Sequence, residues 1–322
     1  MNRTALTALR PLLVTVVVLG LVALAVRDAR PRPSSRADVT LGAAALRISL
    51  PVFVAAERGL FARHGLRVTL RTYPTAQPMV DDVALGRLDA GGFAAWPIVL
   101  LASARAPEGL RVAGAVQEDG AHRLSYVLGR RGAGLRFPRD VAGRRVGVLP
   151  TVAYRRWLAA ILAGAGVDAA GVTVVPVEPA MQASSLAAGA VDLMFTGDPM
   201  ATAMLARGVA EVVDDGPPCA RRVADPFPFG TVAYNGAFAR RSPDVARRLA
   251  AALDEAIELA RRDPAAAREA LRRHLRADER PFVDRYPDTR FETSREFRGF
   301  ASVVAANRAL GVVDGAPRVD PL

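Results

Sequence analysis

The sequence predicts an α/β protein built as two similar βαβαβ lobes around a cleft. Three repeated features carry that reading. A short apolar run ending in proline, RISLP at Arg47–Pro51, returns as RVGVLP at Arg145–Pro150. Each run leads into a helix-like stretch rich in Ala and Leu. That stretch closes on a glycine and an apolar residue, Gly65-Leu66 and Gly166-Val167, before a strand-like segment at 67–70 and at 172–175. Each half then finishes with a second helix and a G-x-x-D, Gly86 to Asp89 and Gly189 to Asp192. A cleft between similar lobes is a natural seat for a small molecule, so ligand binding is the expectation before any single residue is considered. A chain of 322 residues is long enough for two such cores.

Composition narrows the chemistry. The net charge is +11, but all 43 basic residues are Arg and none is Lys. No helix-turn-helix, zinc-ligand set or aromatic RNA-binding signature accompanies the charge, so nucleic acid is not an expected partner. Without Lys the chain cannot form a Schiff base with pyridoxal phosphate or a carbonyl substrate. The single cysteine, Cys219, excludes an internal disulfide. His64, His122 and His274 lie far apart and outside any H-E-x-x-H context, so neither a metal site nor a cofactor is expected.

Taken in order, the N-terminus carries Arg3 and Arg10 ahead of an apolar run, Leu12 to Val26. That run is short for a spanning helix and suits a signal-peptide core, with small residues at 23–25 for cleavage. Arg27, Arg30, Arg32 and Arg36 follow it and oppose export, so residues 1–26 read as a signal peptide or a retained N-terminal anchor. Residues 27–45 read as a linker rich in Pro, Ser and Arg. The first lobe takes 46–128 and 230–322, and the second takes 129–229.

The first lobe opens with a strand at Ile48–Leu50. Pro51 then starts a helix through Phe53 that ends at Gly65, where His64 suits the carbonyl end. A second strand covers 67–73. PTAQP at 74–78 leads into a helix over Met79–Leu85, whose free N–H groups make Thr75, Ala76 and Gln77 candidates for ligand contact. A third strand enters at Leu88, and Gly91 and Gly92 let its backbone approach either a neighbouring element or a ligand. Residues 110–120 form another strand. Glu118, Asp119 and His122 read as a loop on the hinge side. LSYVL at 124–128 is the expected first crossing, and GRRGAG at 129–134 is a surface turn, since it lacks the G-x-x-x-x-G-K-[ST] pattern of a phosphate loop. The proline-dense 214–230 is the return crossing, followed by a strand at 231–235. Ser242 with Pro243 starts a helix whose apolar positions are Val245, Leu249, Leu253, Ile257 and Ala260. Asp263-Pro264 repeats the start signal.

These segments together resemble the solute-binding proteins of ABC importers, in the group that takes sulfonates, nitrate, taurine and thiamine precursors. AAERGLFARHGLRVTL is similar to the group's A-x-E-x-G-x-F-x-x-x-G-L-x-V opening, and ALGRLDAGG to its A-L-x-x-G-x-x-D-x-G. GLRFPRDVAGRRVGV is similar to a D-L-x-G-K-x-V segment, with Arg144 where Lys is common. LAAGAVDLMFTGDP carries the second G-x-x-D and the pair Asp198-Pro199. SPDVARRLAAALDEAIELARRDPAAA is similar to the C-terminal helices, with Asp263 where Asn is common.

The resemblance implies a two-lobed periplasmic-binding-protein fold of type II, each lobe a mixed sheet flanked by helices. It implies a monomer that closes on a small molecule and docks on a membrane permease, outside the cytoplasm, free or tethered through residues 12–26. Function is then capture, not catalysis. The ligand positions it implies are Phe53, Thr75, Ala76, Gln77, Phe93, Ala94, Trp96, Thr151, Val152, Tyr154, Thr196 and Asp198. Thr151 caps a helix or donates to an anion there. Trp96 stacks on a planar ligand or packs between elements. Asp198 accepts from a ligand N–H or caps a helix. Where relatives that bind oxyanions carry small hydroxyl residues, this chain has Phe93 to Trp96. The expected ligand is therefore a heteroaromatic precursor, with an organic anion as the other option. Two further readings remain: an enzyme on the same fold, of the pyrimidine- or menaquinone-pathway type, and an anchored sensor lobe.

Overall fold

Two mixed sheets with helices on their faces organise residues 36–322 except 314, which the computed structural model describes. The apolar run at 12–26 and the expected linker up to residue 35 lie outside the described residues. Ala37–Leu322 forms one unit, and none of its helices is long and apolar enough to cross a membrane.

The strands are β1 (Ala37–Ala44), β2 (Leu66–Tyr73), β3 (Ala90–Ala95) and β4 (Leu110–Glu118), then β5 (Ser125–Arg130), β6 (Arg145–Val148), β7 (Thr173–Pro176), β8 (Leu193–Gly197) and β9 (Ala210–Val212), and finally β10 (Phe227–Asn235), β11 (Arg290–Glu292) and β12 (Val319–Pro321). The first sheet runs β11-β4-β10-β3-β1-β2, with β12 also paired to β4. β1 is parallel to β2 and β3, while β10 is antiparallel to β3 and β4. The second sheet runs β7-β6-β8-β5-β9, with β5 antiparallel to β8 and β9.

Three boundaries differ from the sequence reading. Residues 37–44, inside the expected linker, are the strand β1, and Ile48–Leu50 is not a strand. Arg47–Ser49 is a turn of 3-10 helix, and an α-helix follows from Leu50 to Glu57. Gly42, Ala43 and Ala44 have weak strand propensity, but at Gly42 the small size is required. A Cβ on Gly42 would lie 2.6 Å from Met79 Cγ and 2.7 Å from Leu88 Cδ1. The helix Ala76–Ala84 sits directly on the strand there. Likewise the neighbour that Gly92 admits is Val52, whose Cγ2 would be 2.8 Å from an added Cβ. Second, LSYVL is not the crossing. β5 begins at Ser125 and pairs in the second sheet, so the crossing is 119–124. Third, the return to the first sheet comes earlier than residue 230, because β10 starts at Phe227.

The repeated G-x-x-D has one physical role in both halves. Gly86 and Gly189 take φ of +72° and +70°, ending their helices in the left-handed conformation that glycine adopts without penalty. The aspartate three residues on then anchors a strand of its sheet, Asp89 at a residue within β1 and Asp192 at the first residue of β6. Asp89 Oδ2 accepts from Thr40 N and Thr40 Oγ1, both at 2.8 Å. Asp192 Oδ2 accepts from Arg145 N at 2.8 Å.

The C-terminal helices cover the first sheet. The helix Pro243–Arg262 buries Leu249, Leu253 and Ile257, as its periodicity requires. His64 Nε2 lies 2.8 Å from Glu255 Oε2 of that helix. Asp263 caps the next helix, Pro264–Arg272, by accepting from Ala266 N at 3.0 Å.

One buried carboxylate ties the two crossings together. Glu118, at the end of β4, accepts from Leu124 N at 2.8 Å, from Ser125 N and Oγ, and from Ala220 N at 2.9 Å. Burial pushes its pKa up, and these donors oppose that shift. It is a fully enclosed joint, not the solvated loop residue that the sequence suggested.

Candidate functional site

Residues from both sheets meet around one small cavity of about 40 Å³. The first side supplies the β1-to-helix turn at Leu46–Ile48, the start of the helix Ala76–Ala84, and Ala95 and Ile98. The second side supplies Leu149, Thr151, Tyr154, Gly197, Asp198 and Met200. Two larger hollows, of about 540 and 860 Å³, lie against the C-terminal helices, and neither receives a residue from the second sheet. The small cavity is therefore the candidate, because it alone of these is built by both halves at strand ends and helix starts.

Thr75 occupies the N-cap position of the helix Ala76–Ala84, yet its hydroxyl makes no cap bond and is left to the cavity. Across from it, Thr151 caps the helix Val152–Gly164, accepting from Tyr154 N at 3.3 Å. Two helix N-termini thus converge on the space, where unpaired N–H groups favour negative charge. Tyr154 packs on Phe195 with ring centroids 5.0 Å apart, and burial pushes its phenol pKa up. Gly197 must be small here: a Cβ would lie 2.8 Å from the Leu124 carbonyl and 2.9 Å from Tyr154 Oη.

Arg47 and Asp198 both line the cavity and meet there as a buried ion pair, with Arg47 N also donating to Asp198 O at 3.4 Å. Arg47 is only 2% exposed and Asp198 only 6%. Arg47 Nη1 donates to Pro287 O at 2.6 Å and Nη2 donates to Arg123 O in the first crossing. Its Nε lies 3.4 Å from Asp198 Oδ2 and makes no hydrogen bond. Asp198 Oδ1 accepts from Thr202 N at 3.0 Å and Thr202 Oγ1 at 2.6 Å, so Oδ2 is the freer oxygen. Tyr126 Oη reaches Oδ2 at 3.5 Å, and burial followed by the Asp198 charge pushes that phenol up. Tyr286 Oη is also buried without a partner, with Asp198 among the charges that raise its pKa after burial.

Of the residues expected at the site, Thr75, Ala76, Thr151, Tyr154 and Asp198 line this cavity. The others do not. Phe53 stacks on His274 with centroids 4.2 Å apart, Phe93 sits edge-on to Phe291 at 5.1 Å, and Trp96 packs among Phe297 and Phe300. All three rings are core, which corrects the expected aromatic wall. Ala94 lies within β3, opposite Thr231. Gln77 turns to Asp81, Val152 is half-buried in its helix, and Thr196 Oγ1 donates to Gln182 Oε1 at 2.7 Å. Arg47 was missed. The signal for it was present: it is the only charged residue between Asp38 and Glu57, in an otherwise apolar stretch. A charge in such a stretch is buried with a partner or not buried at all.

No group of three metal-ligating side chains occurs among the described residues. Comparison with curated proteins gives no match. Solved structures share the fold at low identity. The alkanesulfonate-binding protein SsuA from Xanthomonas axonopodis pv. citri, bound to MOPS, matches at 19% identity over 88% of this chain and 97% of that one, with a TM-score of 0.69. The periplasmic nitrate-binding protein NrtA from Synechocystis PCC 6803 matches at 16% over 87% and 83%, with a TM-score of 0.66. The desulfurisation enzyme DSZB matches at 17% over 88% and 94%, with a TM-score of 0.59. The fold is that of periplasmic binding proteins, and the profile of the NMT1/THI5-like family matches residues 48–267, so the chain belongs to that family.

Proposed function

We propose that the chain captures a small solute between its two sheets and delivers it to the membrane permease of an ABC-type importer, on the outer side of the membrane. The observation that carries this reading is the convergence of Arg47, Thr75 and Ala76 from one side with Thr151, Tyr154 and Asp198 from the other. A space of about 40 Å³ holds little more than a water or two. An organic ligand therefore requires the sides to part and re-close around it, the hinge closure by which such receptors signal occupancy. The core positions of Phe53, Phe93 and Trp96 favour an organic anion or a polar solute over a heteroaromatic precursor.

Catalysis is the alternative that the likeness to a desulfurisation enzyme raises. The single cysteine does not support a thiol nucleophile: Cys219 is buried and pushed well above its usual pKa by burial and the Glu118 charge, whereas a nucleophilic cysteine needs an accessible thiolate. The test is mass spectrometry of small molecules released from the purified protein, followed by calorimetry with the molecule identified and with the Thr151→Val variant. A released solute whose affinity falls in the variant supports capture. No released solute, together with turnover of a candidate substrate, refutes it.

A further inference from the structure

We propose that residues 276–287 form a strap that holds the two sides of the molecule closed without a solute, and that Arg207 is the point where it lets go. This deepens the capture reading. The sides meet with only about 40 Å³ between them, too little for an organic molecule to bridge them, so contacts of the protein itself hold this arrangement. Outside the crossings, two ion pairs join the sides among the described residues: Arg47 with Asp198 at the cavity, and Arg207 with Asp278. Arg207 ends the helix Met200–Ala206, which follows β8 of the second sheet. Asp278 lies in the C-terminal segment, just ahead of the 3-10 helix Arg280–Arg285.

The strap is fastened unequally. It is tied to the first side along its length. Arg272 of the helix Pro264–Arg272 donates to Arg280 O at 2.9 Å and to Asp284 Oδ1 at 2.9 Å. Arg268 of the same helix donates to Tyr286 O at 3.3 Å, and Arg47 donates to Pro287 O at 2.6 Å. Val283 between them is fully buried. The bonds to the second side come from one guanidinium. Arg207 Nη2 donates to Asp278 O and lies 3.4 Å from Asp278 Oδ2, and its guanidinium sits 5.5 Å from the centre of the Phe282 ring. An isolated exposed ion pair contributes little. Here a carbonyl, an aromatic face and a carboxylate already oriented by Arg276 at 3.1 and 2.9 Å converge on one cation, which has no side-chain partner on its own side among the described residues. When the sides part, the strap therefore stays with the first side and the seam opens at Arg207.

The experiment is small-angle X-ray scattering and hydrogen exchange on the whole protein, shown to be free of solute by mass spectrometry, as wild type and as Arg207→Met. Methionine keeps the stem of this half-exposed side chain and removes the cation. The reporters are the amides of Ala76 and Ala153, in the first turns of helices on opposite sides of the cavity, where burial and not an intrahelical bond protects them. The expected result is a compact wild type and an Arg207→Met protein with a larger radius of gyration. Its two reporter amides should exchange at least about fivefold faster, while exchange over Leu249–Ile257 in the first side's core stays unchanged. An open wild type overturns the strap, and so does an Arg207→Met protein as compact and protected as wild type. Faster exchange at Leu249–Ile257 as well also overturns it, since that is general loosening. If Arg207→Met does not fold, Phe282→Ala, which removes the ring beside the guanidinium, carries the same expectation and the same refutation. The test needs no solute, whereas capture is judged by the solute released, so either reading can fail while the other stands.

Discussion

Arg47→Met tests whether the cavity is held by its charge pair. Methionine keeps much of the length and apolar stem, so the loss is chiefly of charge and donors. The change removes the donor from Pro287 O and the donor from Arg123 O, and it leaves Asp198 buried opposite an apolar group. Hydrogen bonds from a charged donor contribute about 1.5–3 kcal/mol each. Water entering the vacated space recovers part of that. Stripping one partner from a buried ion pair costs about 3–5 kcal/mol in all, and we expect a loss in that range. Denaturant unfolding of Arg47→Met, Asp198→Asn and the double variant closes a double-mutant cycle. The double variant should be more stable than the sum of the single losses by at least about 1 kcal/mol. A loss under about 1 kcal/mol for Arg47→Met would mean that the pair is solvated in solution. Strictly additive losses would show that Arg47 and Asp198 do not interact.

Three further outcomes follow from the same geometry. Trp96→Ala should cost about 3–5 kcal/mol of stability, since the indole is fully buried among Phe297 and Phe300; solute affinity by calorimetry should stay within about twofold per remaining folded molecule, and a large affinity loss without destabilisation would return Trp96 to the ligand wall. Gly197→Ala should cost about 1–3 kcal/mol by overpacking and weaken solute binding, because its Cβ strikes the Leu124 carbonyl and Tyr154 Oη; unchanged melts and affinity would contradict the close approach. Glu279→Gln should flatten the pH dependence of stability. Burial raises the folded pKa of Glu279 from 4.5 to about 7, so the native state holds a proton that the unfolded chain has released. Stability from this group is present below pH 4.5 and lost as pH rises through about 7. Melting temperatures across that window should fall more for wild type than for Glu279→Gln, and parallel curves would refute the shift.

What the sequence reveals of this fold is local or repeated. Gly86 and Gly189 end helices through local backbone conformation, and Asp89 and Asp192 stand three residues on in both halves, so the pattern shows twice even though the strands they anchor lie 49 and 47 residues away in sequence. The helix Pro243–Arg262 shows in its periodicity because one face alone is buried. Thr75, Thr151 and Asp198 were legible as residues of the candidate cavity because they stand at strand ends and helix starts, which line it. β1 was hidden because packing against the helix Ala76–Ala84 demands Gly42 and small neighbours there, against strand propensity. The strand pattern of Ile48–Leu50 was then a false lead, since Arg47–Ser49 is a turn of 3-10 helix. Phe53, Phe93 and Trp96 could not be placed from sequence, since a large ring suits a core and a ligand wall equally. Only the three-dimensional neighbours His274, Phe291, Phe297 and Phe300 decide.

Glu118 gives the molecule an axle. Its carboxylate sits at the last residue of the first sheet's β4, and it is gripped by the first residue of the second sheet and by the return segment at Ala220. Pulling that grip apart would strand a buried charge, so a closure of the halves would turn about this point instead of separating them at it. Displacement in such a rotation grows with distance from the axis. The Arg47 guanidinium donates to Arg123 O, next to Leu124, whose N–H Glu118 holds, so in such a closure the Arg47–Asp198 pair would move less than the far rim.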